Sequence, residues 1–447
     1  MRGTDRRILW IILDGMADRP APELGGRTPL EAADTPVLDA LADAGASGTM
    51  DVGPPGTPLS SDRAHAYLFG YDPDALPGRG ILEARGLGVA VPDGGVACSA
   101  SFAGARNVQA PDADTDGGGA TGGTDDPGGW RVTDRHLRDT EADCARWGER
   151  VATYDAETAS VGFEYTWKNR GIVTLAPTAG PLSPAVTDVD PFETGLPVLR
   201  PAPTDAASDR AAADRTARAL AAYTRWTADR LADAPFDVVL CKWAGARTDP
   251  EPFAVRHGLA GCSLTPKPVL AGLAATLDLD RRESARGYDC RAGAVLDALG
   301  EYDFVHAHYP EPDEAAHAGG PAAKRDELAA IDASLAPVAD RARGADDLVT
   351  AVTADHTTPS TEDVVHSGAP VPVTVVGAPV RTDGVERAGE RPAASGGLGR
   401  IAGRDLLKLS RAVADRVLLD GLRRSPAVRD YPNQPLTPLQ REEEAER

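Results

Sequence analysis

The stretch TAVTADHTTP, residues 350–359, is an apolar and β-branched run that ends abruptly in an acid and a histidine, Asp355 and His356. The run predicts a buried strand, and a carboxylate and an imidazole at its carboxyl end can both reach one cation. Oxygen and nitrogen ligands together suit zinc or manganese. A strand followed by a polar turn would explain a single pair of this kind, so the metal interpretation depends on whether the pattern recurs.

The pattern recurs at two other predicted strand ends. A continuous apolar run ends at Asp14, and the strand predicted to end at His308 is followed by Asp313 and His317. The last two are four residues apart, which places them on one face of a helix turn. His366 lies in a loop just before another apolar run. Strands that alternate with helices predict an α/β fold with a mostly parallel sheet flanked by helices, and such folds place their sites at the carboxyl ends of the strands.

Two serines, Ser60 and Ser61, lie between a Gly/Pro loop, residues 53–58, and a helix-like run, residues 66–70. Backbone N–H groups and the helix dipole favour a phosphate at such a place. The structural alternative is that Ser60, Ser61 or Asp62 is simply the helix N-cap, and both can hold together.

The acids, histidines and serine make a set of seven candidate ligands of hard or borderline type: Asp14, Ser61, Asp313, His317, Asp355, His356 and His366. Each alone has a structural explanation, such as a turn former or a surface helix residue. Seven ligands exceed the needs of one tetrahedral ion and fit two. Two cations about 4 Å apart can clamp a phosphoryl group and lower the pKa of a serine hydroxyl.

The length of the 447-residue chain, and a change along it from continuous apolar runs to short alternating ones and back, predict two domains. Residues 1–95 and 251–425 form the predicted core, 96–250 an inserted smaller α/β domain, and 426–447 a polar tail. Residues 110–129 form a Gly/Asp/Thr stretch that we interpret as a flexible acidic loop without an assigned role. Single helices are predicted over 205–233 and 322–342. Pro372 predicts that the last strand is short or lies at a sheet edge.

Charge and composition exclude several classes of function. The net charge is −21, from 68 acids and 47 bases. Nucleic-acid binding needs a basic face, and no hydrophobic run has membrane length, so neither partner is expected. Five scattered cysteines without a C-x-x-C suit a reducing cytoplasm. Only five bases are lysine, and an acidic surface in which Arg replaces Lys predicts a protein that works in high salt.

Several motifs resemble those of archaeal-type, 2,3-bisphosphoglycerate-independent phosphoglycerate mutases, which belong to the alkaline phosphatase superfamily. They are LDGMADRP (13–20), GGRTPLEAA (25–33), FGYDP (69–73), PGRGILEA (77–84), DEAAH (313–317), DHTTP (355–359) and HSG (366–368). The resemblance runs from about residue 8 to about residue 409 and implies an alkaline-phosphatase-like core with an inserted domain. It also implies an isomerase that moves a phosphoryl group between 3-phosphoglycerate and 2-phosphoglycerate.

The resemblance further implies a role for each ligand. Ser61 would be the nucleophile that carries the phosphoryl group. Asp14, Ser61, Asp355 and His356 would hold one divalent metal ion, and Asp313, His317 and His366 the other. Manganese is the expected metal, with zinc, cobalt or magnesium as alternatives. The inserted domain would grip the glycerate and reorient it.

The chain departs from the family pattern where the substrate would bind. Arg63 enters the nucleophile motif, Asn169 replaces a histidine, and Lys242-Trp243 replaces an Arg-Gly pair. The candidate substrate-binding residues are Asp62, Arg135, Arg170, Lys242 and Arg247, although each base could equally be a surface charge. The alternatives to a mutase are a metal-dependent phosphomonoesterase, another phosphotransferase on the same core, or a metal-stabilised protein without activity. The expected partner is a small phosphorylated substrate, and the oligomeric state stays open.

His306 and His308 alternate on one predicted strand, so one of them should face a helix layer, and a role for either behind the metal ligands is the alternative. His65 follows the nucleophile on a predicted helix, where a structural role is expected and an acid-base role is the alternative.

Overall fold

The computed structural model describes residues 6–108, 129–135, 137, 141–282, 287–361 and 364–417. Two compact units make up the chain. A core unit comprises the chain up to Leu76 and from Pro250 onward, and an inserted unit comprises Pro77–Asp249. The predicted polar tail and residues 110–128 of the predicted acidic loop lie outside the described residues.

The described residues form fourteen strands, thirteen α-helices and two short 3-10 helices, at Pro22–Leu24 and Pro73–Ala75. The strands are β1 (Arg7–Leu13), β2 (Gly45–Asp51), β3 (Val96–Val108), β4 (Gly129–Asp134), β5 (Thr153–Asp155), β6 (Ala159–Trp167), β7 (Arg170–Pro177), β8 (Val238–Ala246), β9 (Gly261–Leu264), β10 (Asp280–Arg282), β11 (Phe304–Tyr309), β12 (Leu348–Thr353), β13 (Val371–Val376) and β14 (Gly399–Ala402). The helices are α1 (Pro29–Ala32), α2 (Pro36–Asp43), α3 (Ser61–Leu68), α4 (Arg79–Leu87), α5 (Glu141–Arg150), α6 (Arg210–Arg230), α7 (Phe253–His257), α8 (Pro268–Thr276), α9 (Tyr288–Leu299), α10 (Glu311–Ser334), α11 (Ala336–Gly344), α12 (Glu390–Ala393) and α13 (Gly403–Val413). Within the described ranges, no helix combines the length and the apolar character needed to cross a membrane.

The core unit is built on an eight-stranded sheet in the order β10-β9-β11-β1-β12-β13-β2-β14. Five of its seven strand pairs are parallel, and only β13 runs antiparallel to its neighbours. Residues 8–13 of β1 are buried, as expected for a central strand with helices on both faces. The predicted α/β core with a mostly parallel sheet is confirmed.

Strand β13 corrects the prediction made from Pro372, because it lies inside the sheet between β12 and β2. The carbonyl of Pro372 accepts a hydrogen bond from Oγ1 of Thr353 at 2.8 Å, so its nitrogen also faces β12. The last residue pair with β12 is Val373 with Thr353. Pro372 therefore lies beyond the paired part of that ladder, and its missing N–H removes no ladder bond there.

Helix α10 also differs from its prediction, because it begins at Glu311 and not near residue 322. It continues through a kink at Gly320, whose φ of 72° lies in the left-handed region, and Pro321 follows directly. Glycine and proline together predict a helix break, but here the chain resumes the helix at once. The first turn of α10 is consequently attached to the end of β11.

The inserted unit has a six-stranded sheet in which β4-β3-β7-β6-β5 are consecutive and β8 pairs with β3, all antiparallel. Its core includes Phe102 and Phe236, whose ring centroids are 4.3 Å apart. Helix α4 belongs to this unit and packs on β3, because a Cβ on Gly80 would lie 2.2 Å from the carbonyl oxygen of Ala97. The domain limits proposed from the sequence stay a prediction, and the compact units differ from them mainly in the placement of α4.

Candidate metal centre and active site

Three buried carboxylates lie at the carboxyl edge of the core sheet. Asp14 follows β1, Asp355 follows β12, and Asp313 lies in the first turn of α10, which follows β11. Because β1 pairs in parallel with both other strands, the three strand ends meet at one edge. Gly15 allows the close approach, since its φ is +60° and a Cβ there would lie 2.3 Å from Oγ1 of Thr358.

The first ligand group consists of Asp14, Asp355 and His356, whose ligand atoms lie within 4.8 Å of one another. Nε2 of His356 is 3.2 Å from Oδ1 of Asp14 and 3.3 Å from Oδ2 of Asp355. Oγ of Ser61 lies 3.3 Å from the same nitrogen. Ser61 is the first residue of α3 and Ser60 is its N-cap, although the Ser60 side chain makes no capping hydrogen bond within the described chain. The group therefore offers two carboxylates, an imidazole and a hydroxyl.

The second ligand group consists of Asp313, His317 and His366. The Nε2 atoms of His317 and His366 are 3.3 and 3.5 Å from Oδ1 of Asp313. Nδ1 of His366 donates to the carbonyl of Leu59 at 2.6 Å, which leaves its Nε2 free to act as a ligand. The rings of His366 and His356 stack with centroids 3.6 Å apart, so the two groups are adjacent. The core unit thus brings all seven predicted ligands together.

The donor set fits divalent cations. Carboxylate oxygens and imidazole nitrogens are ligands for manganese and zinc. Oδ2 of Asp355 is buried and accepts no hydrogen bond from any described residue. A buried carboxylate oxygen in this condition carries a large desolvation cost, which a bound cation would offset.

The pKa shifts of Asp14, Asp355 and His356 reflect the close approach of buried carboxylates and basic side chains. Burial raises the pKa of Asp14, but Lys267, His308 and His356 outweigh it and hold that pKa well below its usual value. Burial, followed by the nearby charge of Asp14, raises the pKa of Asp355. Burial lowers the pKa of His356, but Asp355 and Asp14 outweigh it and raise that pKa to about 9. The cluster of carboxylates favours cationic neighbours.

Two basic side chains outside the seven predicted ligands contact Asp14: Lys267, which was not predicted to belong to the site, and His308, for which a role behind the metal ligands was the alternative. Nζ of Lys267 donates to Oδ2 of Asp14 and lies 3.4 Å from Oδ2 of Asp313. Nε2 of His308 is 3.1 Å from Oδ2 of Asp14, and its Nδ1 is 3.1 Å from Oγ1 of Thr265. The sequence offers one signal for Lys267: lysine is rare in this chain, which uses arginine for almost all of its bases, yet a lysine occurs at this position.

His65 and His306 are buried beside the same site. Nδ1 of His65 donates to the carbonyl of Ser61 at 2.8 Å, and burial lowers the pKa of His65 to about 4. The ring of His306 lies 5.0 Å from that of His65. A neutral His65 that holds the first turn of α3 agrees with the structural explanation given to it from the sequence.

Asp62 and Arg63 follow Ser61 in the first turn of α3. Asp62 is half-buried next to the candidate nucleophile, where the sequence placed it. Arg63 is exposed, and its Nη2 lies 2.9 Å from Oδ1 of Asp74. The bulky residue that departs from the family motif is therefore accommodated by an ion pair at the surface.

In the inserted unit, Asp190 gathers two of the predicted substrate-binding residues. Its carboxylate is 1% exposed and accepts from Nε and Nη2 of Arg135 at 3.1 and 2.8 Å, and from Nζ of Lys242 at 2.8 Å. Nη1 of Arg135 also donates to the carbonyl of Phe192 at 2.7 Å. All three nitrogens of the Arg135 guanidinium therefore donate hydrogen bonds within the inserted unit.

The other two predicted clamps, Arg170 and Arg247, are exposed. Nη1 of Arg247 lies 3.0 Å from Oδ1 of Asp93, so this residue does not share the Asp190 arrangement. Asn169, which replaces the family's histidine, donates from Nδ2 to the carbonyls of Phe102 and Arg135 at 2.8 and 3.1 Å. Asn169 therefore holds the backbone of Arg135 in place.

Comparison with known proteins agrees with this geometry. The model of the metalloenzyme superfamily matches residues 6–412, which is most of the chain. The chain belongs to this family. A curated relative from Methanopyrus kandleri is 35% identical over 439 residues, covering 93% of this chain and 98% of the relative. Another from Pyrococcus horikoshii is 31% identical over 436 residues, covering 92% and 98%. Both carry the name 2,3-bisphosphoglycerate-independent phosphoglycerate mutase.

Two solved structures are also similar to this chain over most of its length. A protein from Pyrococcus horikoshii has a TM-score of 0.73 and 26% identity, covering 94% of this chain and all of that one. A cofactor-independent phosphoglycerate mutase from Thermoplasma acidophilum has a TM-score of 0.57 and 28% identity, covering 92% of this chain and all of that one. The family resemblance predicted from the motifs is confirmed.

Proposed function

We propose that this metalloenzyme is a cofactor-independent phosphoglycerate mutase, an isomerase that interconverts 3-phosphoglycerate and 2-phosphoglycerate through a phosphoserine at Ser61. The observation that carries the proposal is the match over nearly the full length to relatives that bear this name. The geometry supports the chemistry, because Oγ of Ser61 lies 3.3 Å from Nε2 of His356 within the first ligand group.

Two divalent ions would bind in this centre. Asp14, Ser61, Asp355 and His356 would hold one ion, and Asp313, His317 and His366 the other. When bound, the ions would lower the pKa of the serine hydroxyl and neutralise phosphoryl oxygens. We expect manganese, with zinc, cobalt or magnesium as alternatives. The proposed ligands comprise four side chains that offer oxygen and three that offer nitrogen, and manganese accepts such a mixed set.

The reaction needs two displacements at phosphorus. Oγ of Ser61 forms a bond to the phosphorus of 3-phosphoglycerate while the bond from phosphorus to O3 breaks, and the serine proton ends on O3. The 2-hydroxyl of the glycerate then attacks the phosphoserine, the Oγ–phosphorus bond breaks, and the proton returns to Ser61. Water must be kept from the phosphoserine between these steps, since it would release inorganic phosphate. The proposed partner is a small phosphorylated substrate, and the proposed location of the protein is the cytoplasm.

Among the substrate-binding candidates, Arg170 and Lys242 have the most donor capacity left for an anionic substrate. Arg170 is exposed, and among the described residues Nζ of Lys242 donates one hydrogen bond, to Asp190. Arg135 already donates three hydrogen bonds inside the inserted unit. We propose that Arg170 and Lys242 bind the substrate's carboxylate or phosphate, that Arg135 orients Lys242 through Asp190, and that Arg247 and Asp62 contribute less.

One assay separates the mutase from a phosphomonoesterase, which the named relatives do not favour. Purified protein with Mn²⁺ and 3-phosphoglycerate is followed by enolase-coupled detection of 2-phosphoglycerate, and free phosphate is measured in the same sample. We expect isomerisation to exceed phosphate release. Release of phosphate as the main product would overturn the mutase and favour the phosphatase.

A further inference from the structure

A buried hydroxyl contacts one member of each ligand group. Oγ1 of Thr358 lies 2.8 Å from Oδ1 of Asp313 and 3.1 Å from Nδ1 of His356. Thr358 is fully buried and lies five residues beyond Thr353, the last residue of β12. Nothing in the DHTTP motif itself indicates that its second threonine reaches the carboxylate of a different element.

The directions of these two hydrogen bonds follow from the number of protons. The carboxylate of Asp313, as a metal ligand, has no proton to donate, so it can only accept in its hydrogen bond with Oγ1 of Thr358. The hydroxyl of Thr358 has one proton and donates it to Asp313. It must therefore accept from His356, which places a proton on Nδ1 of His356 and leaves Nε2 facing Asp14 and Ser61.

The position of Thr358 is fixed by its backbone as well as by its side chain. Its N–H donates to the carbonyl of Ala17 at 3.0 Å, and its carbonyl accepts from Nζ of Lys324 at 2.8 Å. Lys324 is fully buried and also donates to Asp18 at 3.0 Å. The hydroxyl of Thr358 thus has little freedom to turn away from the two ligands.

We propose that Thr358 is a positioning residue that couples the two ligand groups, by setting the tautomer of His356 and the orientation of the Asp313 carboxylate at the same time. The inference rests on the two-metal centre proposed above. Removing a partner of this kind typically weakens metal affinity about 10- to 100-fold. Because one hydroxyl serves both groups, its loss weakens both metal sites, whereas an ordinary partner of a single ligand would affect one.

The test is a titration of the full-length, chelator-treated protein with Mn²⁺ by calorimetry, which does not depend on turnover. We expect Thr358→Val to weaken both dissociation constants about tenfold or more. Thr358→Ser keeps the hydroxyl and should stay within about twofold of the unmutated protein. Thr357→Val is the matched control, since the buried Thr357 hydroxyl donates to the carbonyl of Ala369 at 3.1 Å and not to a ligand.

Three results would overturn the inference: a change in only one constant, equal losses in Thr357→Val and Thr358→Val, or a loss in Thr358→Ser as large as in Thr358→Val. If the unmutated protein binds fewer than two ions, the proposed metal centre fails and the inference with it. If it binds two and Thr358→Val leaves both constants unchanged, only the inference fails.

A second measurement on the unmutated protein covers the case in which Thr358→Val does not fold. The chain has eight histidines, so nitrogen-15 spectra of the Zn²⁺-loaded protein can be assigned with a His356→Gln variant. We expect His356 to carry its proton on Nδ1. A proton on Nε2 would contradict the hydrogen-bond direction assigned to Thr358 and overturn the inference.

Discussion

Asp355 and His356 are useful as ligands because the sheet has already fixed their backbone. Asp355 is fully buried two residues after the end of β12, a strand whose residues are all buried. The packing of the strand does not depend on the charge at its end, so ligand chemistry and fold stability can be changed separately.

We predict that Asp355→Asn or His356→Ala lowers mutase activity by at least about 10³-fold while the far-ultraviolet circular dichroism stays that of the unmutated protein. The matched control is Asp347→Asn, at the opposite end of β12, where the carboxylate pairs with Arg341 and Arg7 near the surface. Activity is measured at saturating Mn²⁺. Normal turnover in Asp355→Asn, with an unchanged metal titration, would contradict the two-metal assignment.

The second prediction at this scale concerns the two adjacent serines. Ser61 has its hydroxyl next to His356, whereas Ser60 is an N-cap whose hydroxyl makes no capping bond within the described chain. Mass spectrometry of the acid-quenched intermediate should therefore find phosphate on Ser61. Ser61→Ala should be inactive, and Ser60→Ala should keep activity within a few-fold. A phosphate mapped to Ser60 would show that the site has been assigned one residue out of register.

The ligands could be predicted from the sequence because an acid that ends an apolar run is visible locally. The contacts of Lys267 and Thr358 with Asp313 could not, because they join positions 46 and 45 residues apart through the packing of separate elements. Hydrogen bonds of this kind depend on where strand ends meet, and no local pattern records that.

At the scale of elements, helix α2 receives its N-terminal cap from elsewhere in the fold. The backbone N–H groups of Val37 and Leu38 in α2 donate to Asp332 of α10 at 3.1 and 2.7 Å. Thr35, the N-cap residue, makes no capping bond with its side chain in the described chain. Tertiary structure thus supplies the acceptor that the N-cap side chain does not.

This cap makes part of the stability dependent on pH. Burial, followed by the charges of Asp39 and Asp34, raises the pKa of Asp332 to about 6. The folded state then binds the Asp332 proton more tightly than the unfolded state does, so its contribution to stability falls as pH rises from about 4 to about 6 and is constant above that range. We predict that the unfolding free energy of the unmutated protein, minus that of Asp332→Asn, decreases by on the order of 1 kcal/mol between pH 5 and pH 7. Urea titrations at each pH measure this difference. A difference that rises or stays flat over this range would refute the prediction.

Pro372 and Gly320 show where local rules are overridden at the level of elements. Proline excludes a central strand only if its nitrogen faces a paired neighbour, and at Pro372 it faces the end of a ladder. A Gly-Pro pair ends a helix only if the chain then turns away, and at Gly320 the helix resumes. Both outcomes depend on neighbours that the sequence does not specify locally.

At the scale of the whole molecule, every proposed metal ligand belongs to the core unit and none to the inserted unit. The sequence proposed two domains because continuous apolar runs indicate parallel strands and short alternating runs indicate antiparallel ones. The proposed limits left α4 with the core, whereas the compact inserted unit begins at Pro77; an amphipathic helix carries no mark of the unit on which it packs, and α4 is attached through the contact of Gly80 with β3.

The net charge of the whole chain leads to the last prediction. A charge of −21 repels itself, and ionic strength shortens the range of that repulsion from about 10 Å at 0.1 M salt to about 3 Å at 1 M. Salt also weakens exposed ion pairs such as Arg247–Asp93 and Arg63–Asp74, but such pairs contribute only about 0–1 kcal/mol each. Repulsion should therefore dominate, and we predict that the melting temperature rises by several degrees between 0.1 and 1 M KCl and levels off above that, with activity rising in parallel.

Sucrose provides the control, because it favours compact states without screening charge. Equal melting temperatures at low and molar KCl would contradict the prediction, and a rise reproduced by sucrose alone would attribute the effect to solvent exclusion and not to charge.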